Sequence, residues 1–568
     1  MQERRAWRPT GPHHIELGPR PLGLERRPSR FLHPRRRLDW GLVVLWLLFG
    51  FLAVAGTALL WQATRVDVDM AGVEDDMAMT PGEAVGLQAT LTFAKSNHLH
   101  AAHLTFDGID VLDGDDPELA GTVDERGKTL VWTAPSELAE GEHRLKLSVP
   151  RLAFGDASFA WDVVVDGTPP VFDVAATLDP VPIDEPVTVE GRVEKGATLT
   201  VDGEETETDG GQFELDFDRP PTGPITLVAI DRAGNAATTS VMVPVQMASV
   251  HGVHVTAVAW GREEYRQHIV GLIDAGLIDT VELDLKDEHG VVGYDSEVER
   301  AKAIGAVRPE YDLAEAVRFL EGKGVRVVGR IVAFRDPILA AVAWAEGARD
   351  QVIQDAAGQP FAGYGGFTNY ANPDVRRYNL DIAVEAVEAG VDNILWDYVR
   401  RPEGAPTSMV VPGLGDRAST DVVADFMAES HAELRSRGAI QGASVFGIAA
   451  KSPGSIGQSI PLLARHVDYI APMVYPSHFG EGQYGVESPI DQPAEIVAAS
   501  LADFQVQAEN SGARFVPWLQ DFTIYGTAYG PDQVRAQIDA ARSLGIDGFL
   551  LWNPGVVYTA DALTPLGG

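Results

Sequence analysis

Short apolar runs alternate with amphipathic segments from residue 251 onward, and this alternation limits the folds that the chain can adopt. Strands are predicted at residues 252–260, 279–285, 325–333, 391–397, 442–449, 467–475, 514–521 and 546–552. Helical periodicity separates most of these runs, for example at residues 313–323 and 375–389. Eight strand–helix units in roughly 300 residues are typical of a closed parallel (β/α)8 barrel, also called a TIM barrel.

An open, doubly wound sheet is the alternative to a closed barrel. Nucleotide-binding sheets of that kind carry a glycine-rich turn after the first strand or a GxxxxGK[ST] motif, and the sequence contains neither. The pattern therefore favours the barrel and argues against nucleotide chemistry.

The charge and the lack of cysteine remove several classes of function. The formal net charge is -37 at pH 7, whereas binding of nucleic acid requires a basic surface that displaces counterions from phosphates. The chain has no cysteine, which excludes disulfides, thiol catalysis and thiolate metal ligands. We expect no nucleic acid and no nucleotide among the partners.

A charge-free apolar stretch at residues 40–61 is predicted to form a transmembrane helix. About 20 apolar residues span a bilayer as a helix, and Trp40 and Trp61 stand at the edges, where interfacial tryptophans lie. The preceding basic tail, residues 1–39, holds ten arginines against four acidic residues. That excess predicts a cytoplasmic N-terminus and extracytoplasmic C-terminal domains. A cleaved signal peptide is the alternative, although its apolar core would be shorter.

Two β-sandwich modules are predicted between the apolar stretch and the barrel, at residues 66–165 and 168–246. Both show the two-residue alternation of half-buried strands, interrupted by turn-forming Gly and Asp. The second module resembles bacterial Ig-like repeats in its Val-Asp-Gly (201–203), Asp-Gly-Gly-Gln-Phe (209–213) and Asp-Arg-Ala-Gly-Asn (231–235) segments. The resemblance implies a spacer, or alternatively a module that binds glycan or protein.

The barrel region resembles the glycoside hydrolase-like family DUF4015 in a series of segments that occur in order over residues 251–558. These segments include Val-Glu-Leu-Asp-Leu-Lys-Asp (281–287), Trp-Asp-Tyr-Val-Arg (396–400), Pro-Met-Val-Tyr-Pro-Ser-His (472–478), Pro-Trp-Leu-Gln-Asp-Phe (517–522) and Leu-Trp-Asn (551–553). The resemblance implies a TIM barrel that hydrolyses O-glycosyl bonds of a polysaccharide or glycan. Two positions depart from the family pattern, because Trp396 replaces a phenylalanine and Ser444 replaces an aspartate.

Carboxylates at the ends of the predicted strands are the candidate catalytic groups, because glycoside hydrolysis requires one protonated and one ionised carboxyl group. Asp397 ends the fourth strand and is followed by Arg400, which could hold it ionised. Asp521 ends the seventh strand in a setting that could raise its pKa toward the role of an acid. Each also has a structural alternative: Asp397 as an ion-pair partner of Arg400, and Asp521 as a cap of a helix or loop.

Two further carboxylates, Asp284 and Asp287, lie on and just beyond the second strand and are weaker candidates. They bracket Lys286, which is expected on the same strand face as Asp284. An ion pair between Asp284 and Lys286 inside the barrel is therefore the structural alternative.

Side chains suited to sugars occur near the same strand ends. Aromatic rings can stack on the apolar faces of sugars while polar groups bind hydroxyls, although core packing explains a single aromatic residue equally well. The candidate substrate-binding residues are Trp260, Lys286, Arg330, Tyr398, Arg400, Gln458, Tyr475, His478, Trp518, Gln520, Trp552 and Asn553.

The sequence predicts no metal and no other cofactor in the barrel. No His-Glu-x-x-His pair occurs there, and His251 and His254 are expected on opposite faces of one strand. A Gly-x-Ser-x-Gly motif for a serine nucleophile is also missing from the sequence.

The chain is thus predicted to be multidomain, with an N-terminal transmembrane helix, two all-β Ig-like sandwiches and a C-terminal (β/α)8 TIM barrel. We expect a cell-membrane protein, contacting the lipid bilayer through one helix, that hydrolyses an envelope or extracellular polysaccharide. Two alternatives remain open. The barrel could bind carbohydrate or act as a scaffold without turnover, or the protein could be a surface adhesin that works through its sandwiches.

Overall fold

A computed structural model describes residues 40–112 and 117–566 of the chain. The predicted basic tail, residues 1–39, lies outside the described residues. The first element is a 25-residue helix, Trp40–Thr64, which is long and apolar enough to cross a membrane. It contains the whole of the predicted apolar stretch and extends it by three residues.

Short strands follow this helix, as the two-residue alternation predicts. One antiparallel sheet contains, in spatial order, Val68–Ala71, Gln88–Phe93, Thr129–Thr133 and Thr122–Arg126. A second sheet contains Met77–Met79, Ala157–Val165, Gly141–Val149, His103–Phe106 and Ile109–Asp110. Short helices occur at Pro81–Ala84, Ser96–Leu99 and Pro117–Ala120. Buried Leu91 and Trp132 alternate with outward polar residues in the first sheet.

The residues from 162 onward belong to one compact unit that contains two more small sheets and the barrel. One sheet is formed by Phe172–Asp173, Val187–Val193 and Gln212–Phe217, and the other by Glu204–Thr206, Thr198–Val201, Ile225–Ile230 and Ala236–Val241. Val189 of the first sheet and Leu199 and Leu227 of the second share one hydrophobic core. The assignment of both β regions as Ig-like modules stays a prediction.

A closed parallel barrel of eight strands follows, so the predicted TIM barrel is confirmed. Its strands are His251–Val255, Thr280–Lys286, Arg326–Val332, Asn393–Asp397, Ile440–Phe446, Tyr469–Met473, Trp518–Gln520 with the preceding Arg514–Phe515, and Phe549–Trp552. The first strand pairs with both the second and the eighth, which closes the barrel. An additional pair, Val292–Tyr294 and Val307–Tyr311, extends the sheet beside the second strand.

Helices cover the outside of the barrel and connect its strands. The longer ones are Glu263–Asp274, Leu313–Glu321, Pro337–Glu346, Pro373–Glu388, Ser419–Arg435, Pro493–Gln507 and Pro531–Ser543. Several begin at a side-chain cap, as when Asp312 accepts a hydrogen bond from the backbone amide of Glu315 at 2.7 Å. Strand contacts are tight inside the barrel, since a Cβ on Gly442 would lie 2.2 Å from the ring of Tyr469.

The first barrel strand is shorter than predicted because Thr256 ends it. Its hydroxyl accepts a hydrogen bond from the amide of Ala259 at 3.1 Å and thereby caps the short helix Ala257–Gly261. This turn carries Trp260 away from the strand end and packs it edge-on against Phe319, with ring centroids 6.1 Å apart.

The second β region contacts the barrel at the amino ends of the strands. Arg219 donates to the carbonyl of Ser436 at 2.9 Å, and the Nδ1 atom of His431 lies 2.8 Å from the carbonyl of Thr222. The carboxyl ends of the strands, where catalytic groups of such barrels occur, lie at the opposite side.

Candidate active site

A cavity of about 1360 Å³ lies at the carboxyl ends of the barrel strands. Its floor is formed by residues at or near strand ends, namely His254, Arg330, Asp397, Met473, Trp518 and Trp552. The loops that follow the strands supply the walls, with Glu288, Tyr398, Glu403, Phe446, Lys451, Tyr475, His478, Tyr484, Phe522 and Tyr525 among them. A cavity of this size exceeds the usual range for sites that bind drug-sized molecules.

Arg330 organises the charges on the cavity floor. Its Nη1 atom lies 2.6 Å from Asp284 Oδ1, and its Nη2 and Nε atoms lie 2.6 and 3.0 Å from Asp397 Oδ2. The guanidinium also lies 3.8 Å from a carboxylate oxygen of Glu288. Burial alone would lower the pKa of Arg330, but the surrounding carboxylates outweigh it and raise that pKa well above its ordinary value. Arg330 is therefore a fixed positive charge.

His254 lines the cavity and is held from behind by a buried carboxylate. Its Nδ1 atom lies 2.5 Å from Glu282 Oε2, and its Nε2 atom lies 3.7 Å from Asp284 Oδ2. Burial would lower the pKa of His254, but Glu282 and then Asp284 outweigh burial and raise it. Burial also raises the pKa of Glu282, so the two groups compete for one proton. We place that proton on His254, because Arg330 lies 4.0 Å from the other oxygen of Glu282 and favours its ionised form.

Among the described residues, one group of side chains could hold a metal ion, and it consists of His254 and its two carboxylate neighbours. His254, Glu282 and Asp284 offer ligand atoms within 4.8 Å of one another. However, the Nδ1 atom of His254 already shares a hydrogen bond with Glu282, and Arg330 occupies Asp284. A divalent cation would have to displace that guanidinium, so the donor set fits an ion-pair network better than a metal centre.

Aromatic side chains from the last strands surround His254. The ring of Trp552 stacks on it at 6.5 Å, and Trp518 meets it edge-on at 6.1 Å. Trp518 also donates a hydrogen bond from its indole nitrogen to the hydroxyl of Ser444 at 3.0 Å. Ser444, one of the two departures from the family pattern, therefore orients a cavity tryptophan.

Three of the four candidate carboxylates, Asp284, Asp287 and Asp521, do not line the cavity, and Asp284 is instead paired with Arg330. Asp521 accepts hydrogen bonds from the hydroxyl and the amide of Thr559 at 2.6 and 2.8 Å. Burial raises the pKa of Asp521, although the Thr559 hydrogen bonds oppose this. Asp287 accepts from the amides of His289 and Val291 at 2.9 Å each, which is the pattern of a turn. Burial likewise raises the pKa of Asp287.

The ion pairs expected from the sequence have different partners in the structure. Asp397 pairs with Arg330, whereas the guanidinium of Arg400 lies over the ring of Phe446 at 4.2 Å. Lys286 pairs with Asp336 at 2.9 Å instead of Asp284. Lys286 and Asp284 do not pair because the register of the second strand shifts between these two residues. The shift turns their side chains to different environments.

Four more candidates do not line the cavity, and two of them, Gln458 and Gln520, bind residues of its walls. Gln458 accepts from the amide of Phe446 at 3.1 Å, and Gln520 accepts from the amide of Ser477 at 3.1 Å. Asn553 donates to the backbone carbonyl of Asp521. Trp260 is buried in the short helix after the first strand.

The remaining candidates come together around the cavity. They are Arg330, Asp397, Tyr398, Tyr475, His478, Trp518 and Trp552. Tyr475 contacts His478 edge-on at 5.1 Å and Trp552 at 6.0 Å. Burial lowers the pKa of His478, which favours a neutral imidazole on this wall.

The sequence reasoning missed several residues of the site. Glu282 and His254 are strand residues, and the alternation of Glu282 with Asp284 on one face was the signal that could have identified the first of them. Glu288, Glu403 and Tyr525 lie on loops, where no periodicity indicates the direction of a side chain.

Residues 252–558 match the family DUF4015, which is described as "Putative glycosyl hydrolase domain". The chain is 27% identical to a hypothetical protein from Ruminiclostridium thermocellum, over 34% of this chain and 96% of the other, with a TM-score of 0.31. The PgaB (BpsB) glycoside hydrolase domain from Bordetella bronchiseptica is 14% identical and aligns over 56% of this chain and 100% of its own, with a TM-score of 0.41.

An endo-1,4-beta-D-mannanase from Thermotoga petrophila is also 14% identical, over 54% of this chain and 88% of the other, with a TM-score of 0.37. No curated protein matches the chain. The family match covers more than half of the chain, and the assignment depends on that match alone.

Proposed function

Because the chain belongs to the DUF4015 family of glycosyl hydrolase-like domains, we propose that its cavity binds a polysaccharide and hydrolyses an O-glycosidic bond in it. The observation that supports this best is the position of Asp397. It ends the fourth strand, lines the cavity and lies among aromatic side chains that suit the faces of sugar rings.

Asp397 is the proposed nucleophile or base. One of its oxygens is fixed by Arg330, and the other accepts a hydrogen bond from the amide of Tyr398 at 2.7 Å. These partners hold the carboxylate in one orientation before the reaction begins. The free energy of reorganising it in the transition state is therefore smaller. The negative charge of Asp397 would stabilise the positive charge that develops on the anomeric carbon.

A proton donor to the leaving oxygen is the second requirement of this chemistry. Burial would raise the pKa of Glu288, but Arg330 outweighs it and lowers that pKa, so Glu288 stays ionised. His254 carries a proton, lines the cavity and is oriented by Glu282. We therefore assign the donor role to His254, with Glu282 as the residue that positions it.

A barrel that binds carbohydrate without turnover is the second candidate function. Ser444 supports it, because the family pattern has an aspartate at this position of the fifth strand. Its hydroxyl is occupied by the indole of Trp518 and cannot replace a carboxyl group in acid–base chemistry.

The cellular setting forms part of the proposal. The helix Trp40–Thr64 would anchor the chain in the cell membrane, with the barrel on the extracytoplasmic side. The β regions at residues 66–165 and 168–246 lie between this helix and the barrel in the sequence. The substrate would then be an envelope or extracellular polysaccharide.

The test is hydrolysis by the full chain in detergent micelles. The protein is incubated with a panel of bacterial envelope and extracellular polysaccharides, and new reducing ends are measured. We expect reducing ends from at least one polysaccharide. Saturable binding of a polysaccharide without release of reducing ends would instead establish the second candidate function.

A further inference from the structure

Two arginines beside the cavity, Arg335 and Arg400, pair with no carboxylate among the residues that the structure describes. The chain holds 82 acidic side chains against 45 Lys and Arg residues, so acidic partners are abundant. Arg330, only five residues before Arg335, has carboxylate oxygens of four residues within 4.0 Å. For a buried guanidinium such as that of Arg400, the lack of such a partner requires a reason.

Arg400 is the more unusual of the two, because its side chain is buried. Its exposed fraction is 1%, and its Nη1 atom donates to the carbonyl of Arg401 at 3.0 Å. Its Nε and Nη2 atoms are buried without any hydrogen-bond partner in the described chain. Unmet donors of a buried charged group are costly, and buried polar groups in proteins rarely lack an acceptor. The two nitrogens thus indicate an acceptor that the protein itself does not supply.

The two guanidinium groups share the same two tyrosine rings. The central carbon of Arg335 lies 5.2 Å from the ring centre of Tyr398 and 5.4 Å from that of Tyr364. The corresponding distances for Arg400 are 4.7 and 5.7 Å. Contacts of this kind stabilise a cation through the faces of the rings. Arg335 also donates to the hydroxyl of Tyr398 at 2.9 Å and to the backbone carbonyl of Tyr364 at 3.4 Å, but these are neutral acceptors and neither guanidinium has an anionic one in the described part of the chain.

Both tyrosines adopt a backbone conformation that L-residues avoid. The φ angle is 50° at Tyr398 and 59° at Tyr364, and residues with such side chains tolerate this region only at a cost in free energy. Costs of this kind are concentrated at functional sites. Tyr398 lines the cavity, as do Phe446, whose ring lies 6.5 Å from that of Tyr398, and Glu403, the partner of Tyr364.

We propose that Arg335, Arg400, Tyr364 and Tyr398 form a subsite for an oxyanion carried by the sugar chain, either a uronic acid carboxylate or a phosphate ester. Guanidinium groups bind such oxyanions through paired hydrogen bonds, while tyrosine rings stack on the sugar. The subsite deepens the proposed function and depends on it, because it assumes that the cavity binds a glycan. The polysaccharide bound here is then an acidic one.

Access to the subsite is through Arg335 and the edge of Tyr364. Arg335 is half-buried, and Tyr364 is 40% exposed. The hydroxyl of Tyr364 donates to Glu403 at 2.8 Å. An arriving oxyanion would first meet Arg335 and would reach Arg400 by displacing the Tyr364 ring and its Glu403 partner.

The net charge of -37 does not oppose this assignment at physiological salt. The screening length there is about 8 Å, so the distant acidic surface is largely screened from an oxyanion inside the cavity. Of the acidic residues that line the cavity, Glu288 and Asp397 lie within 4.0 Å of Arg330, and Glu403 accepts a hydrogen bond from Tyr364. Raising the salt concentration should weaken the binding of a charged glycan and leave that of a neutral one unchanged.

The experiment measures glycan binding to the full chain in detergent micelles by calorimetry. The probes are an oligouronate, the same oligosaccharide after reduction of its carboxyl groups to alcohols, and a glycerol phosphate oligomer. The two oligosaccharides differ only at C6, where a carboxylate replaces a hydroxymethyl group, and we expect the oligouronate to bind about tenfold more tightly. Arg335→Gln should remove this preference, so that the charged and the neutral oligosaccharide bind with about equal affinity. Arg335 is chosen because it is half-buried, whereas a change at Arg400 could prevent folding.

Arg349→Gln is the matched control. The guanidinium of Arg349 also lies over an aromatic ring, that of Trp344 at 4.9 Å, but neither residue lines the cavity. This variant should bind all three probes as the wild type does. Thermal unfolding of both variants confirms that they are folded.

The outcomes separate this inference from the proposed function. Equal affinity for the charged and neutral oligosaccharides, or a preference that survives Arg335→Gln, would overturn the subsite and leave glycan binding intact. Tighter binding of the glycerol phosphate oligomer, lost in Arg335→Gln, would support the subsite and identify the phosphate ester as its ligand. Binding of none of the probes, together with no hydrolysis of any polysaccharide, would overturn both proposals.

Discussion

Charged side chains from four adjacent strands meet on the floor of the barrel. His254, Glu282, Arg330 and Asp397 are on the first to fourth strands in turn. Burying so many charges is costly unless each has a partner, and Arg330 supplies much of the compensation. The Glu282 oxygen that lies 4.0 Å from Arg330 nevertheless has no hydrogen-bond partner in the described chain. The pKa of His254 should therefore depend on the charge of Glu282.

The protonation of His254 provides a test at this scale. Its pKa lies above the ordinary value of 6.5, chiefly because Glu282 outweighs burial. The charged form therefore stabilises the fold fully below pH 6.5, and this contribution is lost as the pH rises through the raised pKa. Glu282→Gln removes the main source of the increase, so burial should lower the pKa of His254 below its ordinary value.

NMR of the full chain with histidine labelled with 13C at Cε1 measures the pKa of His254. The resonance of His254 is the one that is missing from the spectrum of His254→Gln. Gln267→Glu, on an outer helix, serves as a control that should leave the titration unchanged. A His254 resonance that titrates at the same pH in wild type and Glu282→Gln would contradict the assigned proton position.

Single residues also show where sequence reasoning fails. Asp397 was correctly placed at the end of a barrel strand, because an apolar run ending in a carboxylate is visible in the sequence. The sequence does not show that its partner would be Arg330, which lies 67 residues away on a neighbouring strand. Asp521 has the same local pattern but is turned to Thr559 by the backbone that follows its strand. The direction of a side chain beyond a strand end depends on tertiary contacts.

At the scale of elements, the hydrophobic periodicity identified all eight barrel strands. Their ends were less accurate, as in the first strand, which ends at Val255 because Thr256 caps a short helix. The alternating β regions were also recognised, but periodicity does not indicate how they contact the barrel. Those contacts involve backbone carbonyls, such as that of Thr222, and leave little trace in the sequence.

A buried cluster at the amino ends of the strands connects the barrel to the preceding β region. Asp468 lies between His431 and Arg435, and it accepts a hydrogen bond from the amide of Gln441 at 2.8 Å. Burial would raise the pKa of Asp468, but His431 and then Arg435 lower it. Its stabilising contribution is present above the ordinary value of 3.8 and is lost as the pH falls through the lowered pKa.

The contacts of this cluster with Thr222 predict that the second β region stabilises the barrel. A soluble fragment of residues 168–568 should unfold at a higher temperature than a fragment of residues 248–568. The two differ by several hydrogen bonds, each worth about 1 kcal/mol. Thermal unfolding at pH 7 measures the difference. Identical melting temperatures would show that the β region is an independent spacer.

At the scale of the whole molecule, the helix Trp40–Thr64 and the residues before it predict on which side of the membrane the barrel lies. Its exposed apolar side chains would be stable in a bilayer, and the arginine-rich residues before it favour the cytoplasmic side. Protease added to intact cells, or to spheroplasts where an outer membrane exists, should digest the barrel and leave an N-terminal peptide of about 60 residues protected. A barrel that resists digestion until the cells are lysed would contradict this topology.

The most direct test of glycan hydrolysis in the cavity compares Asp397→Asn with Asp521→Asn in the full chain. Both aspartates are buried beside strand ends, but only Asp397 lines the cavity. Turnover of a polysaccharide that the wild type hydrolyses is measured beside thermal unfolding.

Asp397→Asn should reduce turnover by roughly 10²- to 10⁴-fold and remain folded. Asp521→Asn should retain most of its turnover and lose about 1–3 kcal/mol of stability through the Thr559 contacts. Wild-type turnover in Asp397→Asn would contradict the central claim.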